Sequence, residues 1–144
     1  MTRDNVLIDL ALQGGGAHGA YTWGVLDRLL EESWLQIEGI SGTSAGAMNA
    51  AALISGYVDN GADGARATLE LFWRRVSLAA RLSPLQRNPM DVLMGRWTLD
   101  ASPFFVATDI MSRLFSPYDL NPKGVNPLRE ILTETVDFGR LDDI

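Results

Sequence analysis

Apolar residues near the N-terminus fall into two short runs, separated by a stretch with helical spacing. Residues Val6 to Leu12 are apolar except at Asp9, which predicts a strand covered on both faces. Apolar positions then recur at helical spacing as far as Glu32, and a second short run, Gln36 to Ser41, predicts another strand. The pattern therefore predicts a strand, a helix and a second strand, in that order.

Small residues dominate the segment after the second predicted strand. Ala45 to Gly56 is rich in alanine and predicts a helix that lies very close to the sheet and ends near Gly56. The loop Asp59-Asn60-Gly61 separates it from an amphipathic helix around residues 66–76. We expect the outer face of this second helix to carry i,i+4 ion pairs among Arg66, Glu70 and Arg74.

The pattern changes in the second half of the chain, where all six prolines fall between Pro84 and Pro127. Phe104 to Phe115 predicts a helix that is apolar around much of its circumference, either buried or part of a cover over an apolar site. A last helix is predicted to begin at Pro127 with Asn126 as its N-cap. We therefore expect a core in residues 1–83, a cap-like segment in 84–127, and a returning helix and chain end in 127–144.

Composition excludes several kinds of site. The chain has no cysteine, which rules out a thiol nucleophile, a thiolate metal site and a disulfide framework. Its one histidine, His18, rules out a multi-histidine metal site. A Ser-His-Asp triad would require the loop around His18 to fold over the nucleophile. At 144 residues and 47% hydrophobic, the chain is long enough for one domain with a core.

Charge is distributed unevenly along the chain. The net charge is −6, yet the segment Leu71 to Leu99 holds five arginines and one acidic residue, interleaved with aromatic residues. Such a segment is either a membrane-surface patch or a solvated helix face beside an ordinary core. Without a targeting pattern or a run of ~18 apolar residues, we expect a cytoplasmic protein. Peripheral membrane contact is the alternative location, and no nucleic-acid partner is expected.

A glycine-rich turn after the second strand carries a candidate nucleophile. Gly42-Thr43-Ser44-Ala45-Gly46 matches the Gly-X-Ser-X-Gly pattern of a nucleophile elbow, a strained strand-to-helix turn that needs small residues around its serine. The N–H of Ala45, at the helix N-terminus, can then face a developing oxyanion. We therefore predict a catalytic Ser44, against the alternative of a packing turn with an incidental serine.

A second glycine-rich turn, Gly14 to Gly19, follows the first strand. Neighbouring parallel strands lie ~4.8 Å apart, so both turns are expected at the sheet edge where α/β proteins bind ligands. The turn also fits the dinucleotide pattern Gly-X-Gly-X-X-Gly, but Glu38, the acidic residue that would hold the ribose, lies in mid-strand. Consecutive glycines suit a loop whose amides converge on a small anion. The candidate donors are Gly14, Gly15, Gly16 and Ala17.

Together these residues resemble the N-terminal part of the patatin-like phospholipase family. The resemblance rests on the two glycine turns, including Gly19, Gly42 and Gly46, on Gly24-Val25-Leu26, and on Asn126-Pro127-Leu128-Arg129. It implies a three-layer α/β/α fold with a mostly parallel sheet, of which this chain holds the N-terminal half. It further implies a lipid acyl hydrolase with a Ser-Asp dyad, Ser44 as nucleophile and the glycine-loop amides as oxyanion hole. No metal or organic cofactor is expected.

Two positions depart from that family. Its glycine motif usually has Arg or Lys where this chain has His18, whose charge depends on pH. Its aspartate follows further strands in an Asp-Gly-Gly or Asp-Gly-Ala motif, whereas Asp63-Gly64-Ala65 lies only 19 residues beyond Ser44 and opens a helix. We therefore expect the base on a second chain or a cleaved C-terminal segment, with Asp63 as the less favoured alternative. A non-catalytic lipid-binding or regulatory fragment is the competing hypothesis to an enzyme.

Overall fold

The structure is a computed structural model that describes residues 4–82 and 126–143. Within these ranges the fold is mixed α/β. The elements in chain order are β1 (Val6–Leu12), a 3-10 helix (Gly16–His18), α1 (Gly19–Leu30), β2 (Leu35–Gly42), α2 (Ala45–Leu82), α3 (Pro127–Thr135) and a second 3-10 helix (Phe138–Asp143). The predicted strand, helix, strand order is confirmed.

The chain divides into two compact units. The first comprises Met1–Val76 and Leu128–Ile144, and the second comprises Ser77–Pro127. Both glycine-rich turns lie in the first unit. The helix predicted at Phe104 to Phe115 and most of the predicted cap-like segment lie outside the described residues. The start of the last helix at Pro127 is confirmed.

The two strands pair in parallel through a register that contains a β-bulge. Ile8 lies opposite Ile37, but the next pair is Asp9 with Gly39, so Glu38 is the extra residue on β2. An extra residue reverses the alternation of side chains along a strand. Ile37 and Ile40, three residues apart, are therefore both half-buried. The bulge lets β2 keep its apolar residues on the covered side of the sheet.

The apolar run predicts that β1 is covered on both faces, but one face is open in the structure. Ile8, Leu10 and Leu12 are half-buried, while the alternate positions are exposed. Leu7, on the open face, is 59% exposed. A continuous apolar run does not reveal which of its faces a neighbouring element covers, because that depends on packing.

Helix α2 consists of two arms that fold back on each other. Asn60 and Gly61 have non-helical backbone angles, and Gly61 has a φ of 57° that glycine adopts without strain. The first arm does not end at Gly56 as predicted. Instead, a Cβ on Gly56 would collide with the backbone of Gly64 and a Cβ on Gly64 with that of Gly56. Glycine at both positions therefore allows the arms to touch backbone to backbone.

The core of the first unit lies between α1 and the two arms of α2. Leu26, Leu53, Leu69 and Phe72 are at most 2% exposed. Helix α3 adds Ile131, and the chain after it is tied to α2 because the Asp137 N–H donates to the Ser55 hydroxyl at 3.1 Å. Among the described helices, none is both long enough and apolar enough to cross a membrane.

Candidate active site

Ser44 has a strained backbone between β2 and α2. Its φ is 50°, and among the described residues it is the one non-glycine residue with positive φ. This left-handed conformation costs an L-residue about 1–2 kcal/mol. Residues held in such conformations concentrate at functional sites, where the surrounding structure enforces them. The strained strand-to-helix turn predicted from Gly-X-Ser-X-Gly is present, and Ser44 is exposed at its tip.

The two glycine-rich turns are in direct contact. A Cβ added to Gly14 would lie 3.0 Å from the Cβ of Ser44 and 3.0 Å from the carbonyl oxygen of Thr43. The Gly14 N–H donates to the Thr43 hydroxyl at 3.2 Å, and the Thr43 N–H donates to the carbonyl of Leu12 at 3.1 Å. A side chain at Gly14 would press against the Ser44 turn, and the hydrogen bond of Gly14 holds the glycine loop against that turn.

Gly42 and Gly46 allow the first turn of α2 to pack closely against the end of β1. A Cβ on Gly46 would collide with the carbonyl of Leu12, and it would lie 2.9 Å from the carbonyl oxygen of Gln13. A Cβ on Gly42 would lie 2.7 Å from the backbone N of Ala47. These contacts bring the N-terminus of α2, which carries partial positive charge, beside the glycine loop.

Several backbone N–H groups around Ser44 have no hydrogen-bond acceptor within residues 4–82 and 126–143. They belong to Gly15, Gly16, Ala17 and Ala45, whereas the N–H of Gly14, also predicted as a donor, is engaged by the Thr43 hydroxyl. Gly16 has a φ of 56°, and Gly15, Gly16 and Ala17 are exposed. Successive amides in alternating backbone conformations form a concave site for an anion. The loop and the start of α2 therefore offer donors next to the serine hydroxyl.

His18 lies in the 3-10 helix that ends the glycine loop. Its Nδ1 is 3.1 Å from the carbonyl oxygen of Gly15, and its backbone N–H donates to the same carbonyl at 3.1 Å. The ring is exposed. With Nδ1 protonated, His18 holds the Gly15 carbonyl, which keeps that oxygen turned towards the histidine.

The sequence pattern does not indicate Thr43, Asn49 or Trp73 as members of this region. Asn49 is 0% exposed, and it links the first residue of α1 to Trp73. A polar side chain among the small and apolar residues of Ala45–Gly56 is the pattern that could have drawn attention to Asn49. Its partners could not be predicted, since they lie 24 and 30 residues away along the chain.

The structure does not bring Asp63 to Ser44. Asp63 is exposed near the start of the second arm of α2, beside the Gly56–Gly64 contact. At 1.5 Å per helical residue, the twelve residues from Ser44 to Gly56 span ~18 Å. The carboxylates with hydrogen bonds in the described ranges are engaged by arginine, tryptophan or backbone groups, and Ser44 is not among those partners.

Asp63 instead lies near an ion cluster that joins α1 to α2. Arg66 donates to Asp27 at 2.8 and 3.3 Å and to Glu31 at 2.9 Å, rather than to Glu70 as the i,i+4 spacing predicts. The hydrogen bond to Asp27 raises the pKa of Arg66 most, and the charge of Asp63 adds to this, while desolvation opposes both. The other predicted pair, Arg74 with Glu70, is confirmed at 2.6 Å.

We expect Asp63→Asn to leave the reactivity of Ser44 unchanged, because Asp63 lies beside Gly56, which is ~18 Å along the helix from Ser44. The measurement is the rate at which a fluorophosphonate labels Ser44 in wild type and variant. The matched control is Asp59→Asn. Asp59 is also exposed and lies beside the turn between the two arms of α2, and it pairs with Arg140. A rate lost in Asp63→Asn but kept in Asp59→Asn would restore Asp63 as the base.

The geometry does not favour a dinucleotide site. Glu38 is the bulge residue of β2 and is exposed in mid-strand. A ribose-binding acid belongs at the end of that strand. Here the end of β2 leads through Gly42 into the Ser44 turn.

Comparison with known proteins assigns a family to this arrangement. Residues 10–140 match the family model described as patatin-like phospholipase, a range that includes both glycine-rich turns and α3. Neither the search of curated proteins nor the search of solved structures gave a match. Since the family match covers most of the chain, the protein belongs to the patatin-like phospholipase family.

Proposed function

We propose that this protein is a serine lipid acyl hydrolase with Ser44 as its nucleophile. Membership of the patatin-like phospholipase family suggests lipid acyl hydrolysis in general. The observation that supports a role for Ser44 is its left-handed backbone, held in contact with Gly14 of the glycine loop. Strain at an exposed serine beside unpaired amides suits nucleophilic catalysis better than a packing turn.

The reaction proposed is ester hydrolysis through an acyl-enzyme. A carboxylate accepts the proton of Ser44 as its oxygen attacks the acyl carbonyl carbon. The tetrahedral oxyanion accepts hydrogen bonds from the unpaired amides of the glycine loop, those of Gly15, Gly16 and Ala17, and from Ala45, each donor being worth ~10²–10³ in rate. The intermediate then expels the alcohol, which takes the proton back from the carboxylic acid. Water attacks the acyl-enzyme by the same route and releases the fatty acid and the free serine.

We further propose that the base is an aspartate outside the described residues, carried by a second chain or a C-terminal segment of the domain. The hydrogen bonds of the described carboxylates to groups other than Ser44 support this. A three-layer α/β/α arrangement is part of the same proposal. It is supported by the open face of β1, where the exposed Leu7 and Ala11 leave room for a second helical layer.

The test is covalent labelling combined with product analysis. Native protein is treated with a fluorophosphonate, the labelled residue is located by peptide mass spectrometry, and fatty-acid release from phospholipid vesicles is followed separately. Labelling at Ser44 with fatty-acid release is expected. Lipid binding without labelling or release would support a non-catalytic lipid-binding fragment, and labelling at another serine would refute the role of Ser44.

A further inference from the structure

Asn49 is the most deeply buried polar side chain around the candidate site. It is 0% exposed and lies in the second turn of α2. Its Nδ2 donates to the carbonyl oxygen of Gly19 at 2.9 Å, and its Oδ1 accepts from the indole N–H of Trp73 at 2.8 Å. The indole can only donate and the carbonyl can only accept, so the amide has one orientation that satisfies both. A leucine of similar size would satisfy neither.

The two partners of Asn49 belong to different parts of the molecule. Gly19 is the first residue of α1, directly after the 3-10 helix of the glycine loop. Trp73 lies in the second arm of α2. The start of α1 packs closely against both arms of α2, since a Cβ on Gly19 would lie 2.8 Å from the Cβ of Ala45 and 2.9 Å from the Trp73 ring. The end of the glycine loop therefore contacts the residue that directly follows Ser44.

We propose that Asn49 is a positioning residue, which fixes the glycine-loop amides relative to Ser44 and the Ala45 N–H. This rests on the proposed function. Neither hydrogen bond of Asn49 goes to Ser44 or to a loop amide; it acts through Gly19, whose carbonyl it holds from the side of α2. Stabilisation of an oxyanion requires donors at a defined distance from the nucleophile, and a displacement of ~1 Å can cost ~10²-fold in rate. A buried hydrogen bond to rigid partners provides such definition.

A role in stability alone is the competing explanation, and Ser55 offers a matched control. Ser55 is buried on the same arm of α2 and also holds another segment by one hydrogen bond, from the Asp137 N–H at 3.1 Å. That bond lies at the opposite end of the arm from the glycine loop. Ser55→Ala therefore removes a comparable hydrogen bond between segments without affecting the hydrogen bond to Gly19.

The experiment compares Asn49→Leu, Trp73→Phe and Ser55→Ala with wild type in the native protein, with the chain or segment proposed to carry the base present. Backbone amide resonances of Gly14, Gly15, Gly16 and Ala45 are followed by ¹H–¹⁵N NMR, which needs no activity. Fluorophosphonate labelling of Ser44 is measured per folded molecule. Trp73→Phe keeps the bond to Gly19 but removes the donor that orients the amide, so it also serves if Asn49→Leu fails to fold.

We expect Asn49→Leu to shift the loop and Ala45 resonances and to slow labelling by ~10²-fold. Trp73→Phe should shift the same resonances less, and Ser55→Ala should leave both measurements near wild type. Unshifted loop resonances in both variants, or equal shifts in Ser55→Ala, would overturn the role of Asn49. If wild type is not labelled, the proposed function fails, while the resonances still decide whether Asn49 positions the loop.

Discussion

Replacing Ser44 with alanine is expected to abolish fluorophosphonate labelling and to lower fatty-acid release by ~10⁴-fold or more, because no other group can form the acyl-enzyme. The fold should remain, since Ser44 is exposed and its backbone turn is held by its neighbours. Circular dichroism and urea unfolding check the fold, and vesicle assays check release. Ser41→Ala is the matched control, an exposed serine three residues earlier on β2. Full release by Ser44→Ala would disprove the nucleophile.

Replacing Ser44 with glycine separates the effect of backbone strain on stability from the loss of the nucleophile. At a φ of 50°, glycine escapes the ~1–2 kcal/mol penalty of a left-handed L-residue. Glycine also has more conformational freedom in the unfolded chain, which lowers the free energy of unfolding by ~0.4–1 kcal/mol. We therefore expect Ser44→Gly to be inactive yet to raise the free energy of unfolding by ~0.5–1 kcal/mol relative to Ser44→Ala. Equal stability of the two variants would mean that the turn relaxes in solution and stores no strain.

Gly16→Val is expected to slow labelling of Ser44 by ~10²-fold while changing the free energy of unfolding by less than ~1 kcal/mol. Gly16 has a φ of 56°, where a β-branched residue is strongly disfavoured, so the loop must change conformation and its amides must turn away. The loop is exposed, which limits the effect on stability. Single-exponential labelling rates and urea unfolding measure the two quantities.

The control for this prediction is Gly16→Asn. An added Cβ at Gly16 has no neighbour within 4 Å in the described part of the chain, so a side chain fits there sterically. Asparagine tolerates the left-handed region far better than valine. Gly16→Asn should therefore retain most of the labelling rate. Similar losses in both variants would show that side-chain bulk, not backbone conformation, limits the site.

Local sequence determined the elements and the two turns. β1, α1 and β2 follow from apolar periodicity, and the ends of the strands follow from glycine at Gly14 and Gly42, because these are preferences of neighbouring residues. The strained turn at Ser44 was predictable for the same reason, since the pattern Gly-X-Ser-X-Gly describes the turn itself. The family match over residues 10–140 includes both turns.

Tertiary packing decided which distant residues those elements contact. The bulge at Glu38, the open face of β1 and the exchange of Glu70 for Asp27 as partner of Arg66 depend on neighbours distant in sequence. Gly56 looked like a helix end but is a contact point between two helical arms. The same folding places Asp63 away from Ser44 and buries Asn49 between Gly19 and Trp73. Periodicity in one dimension carries no information on which distant residue fills a given space, so these contacts required the structure.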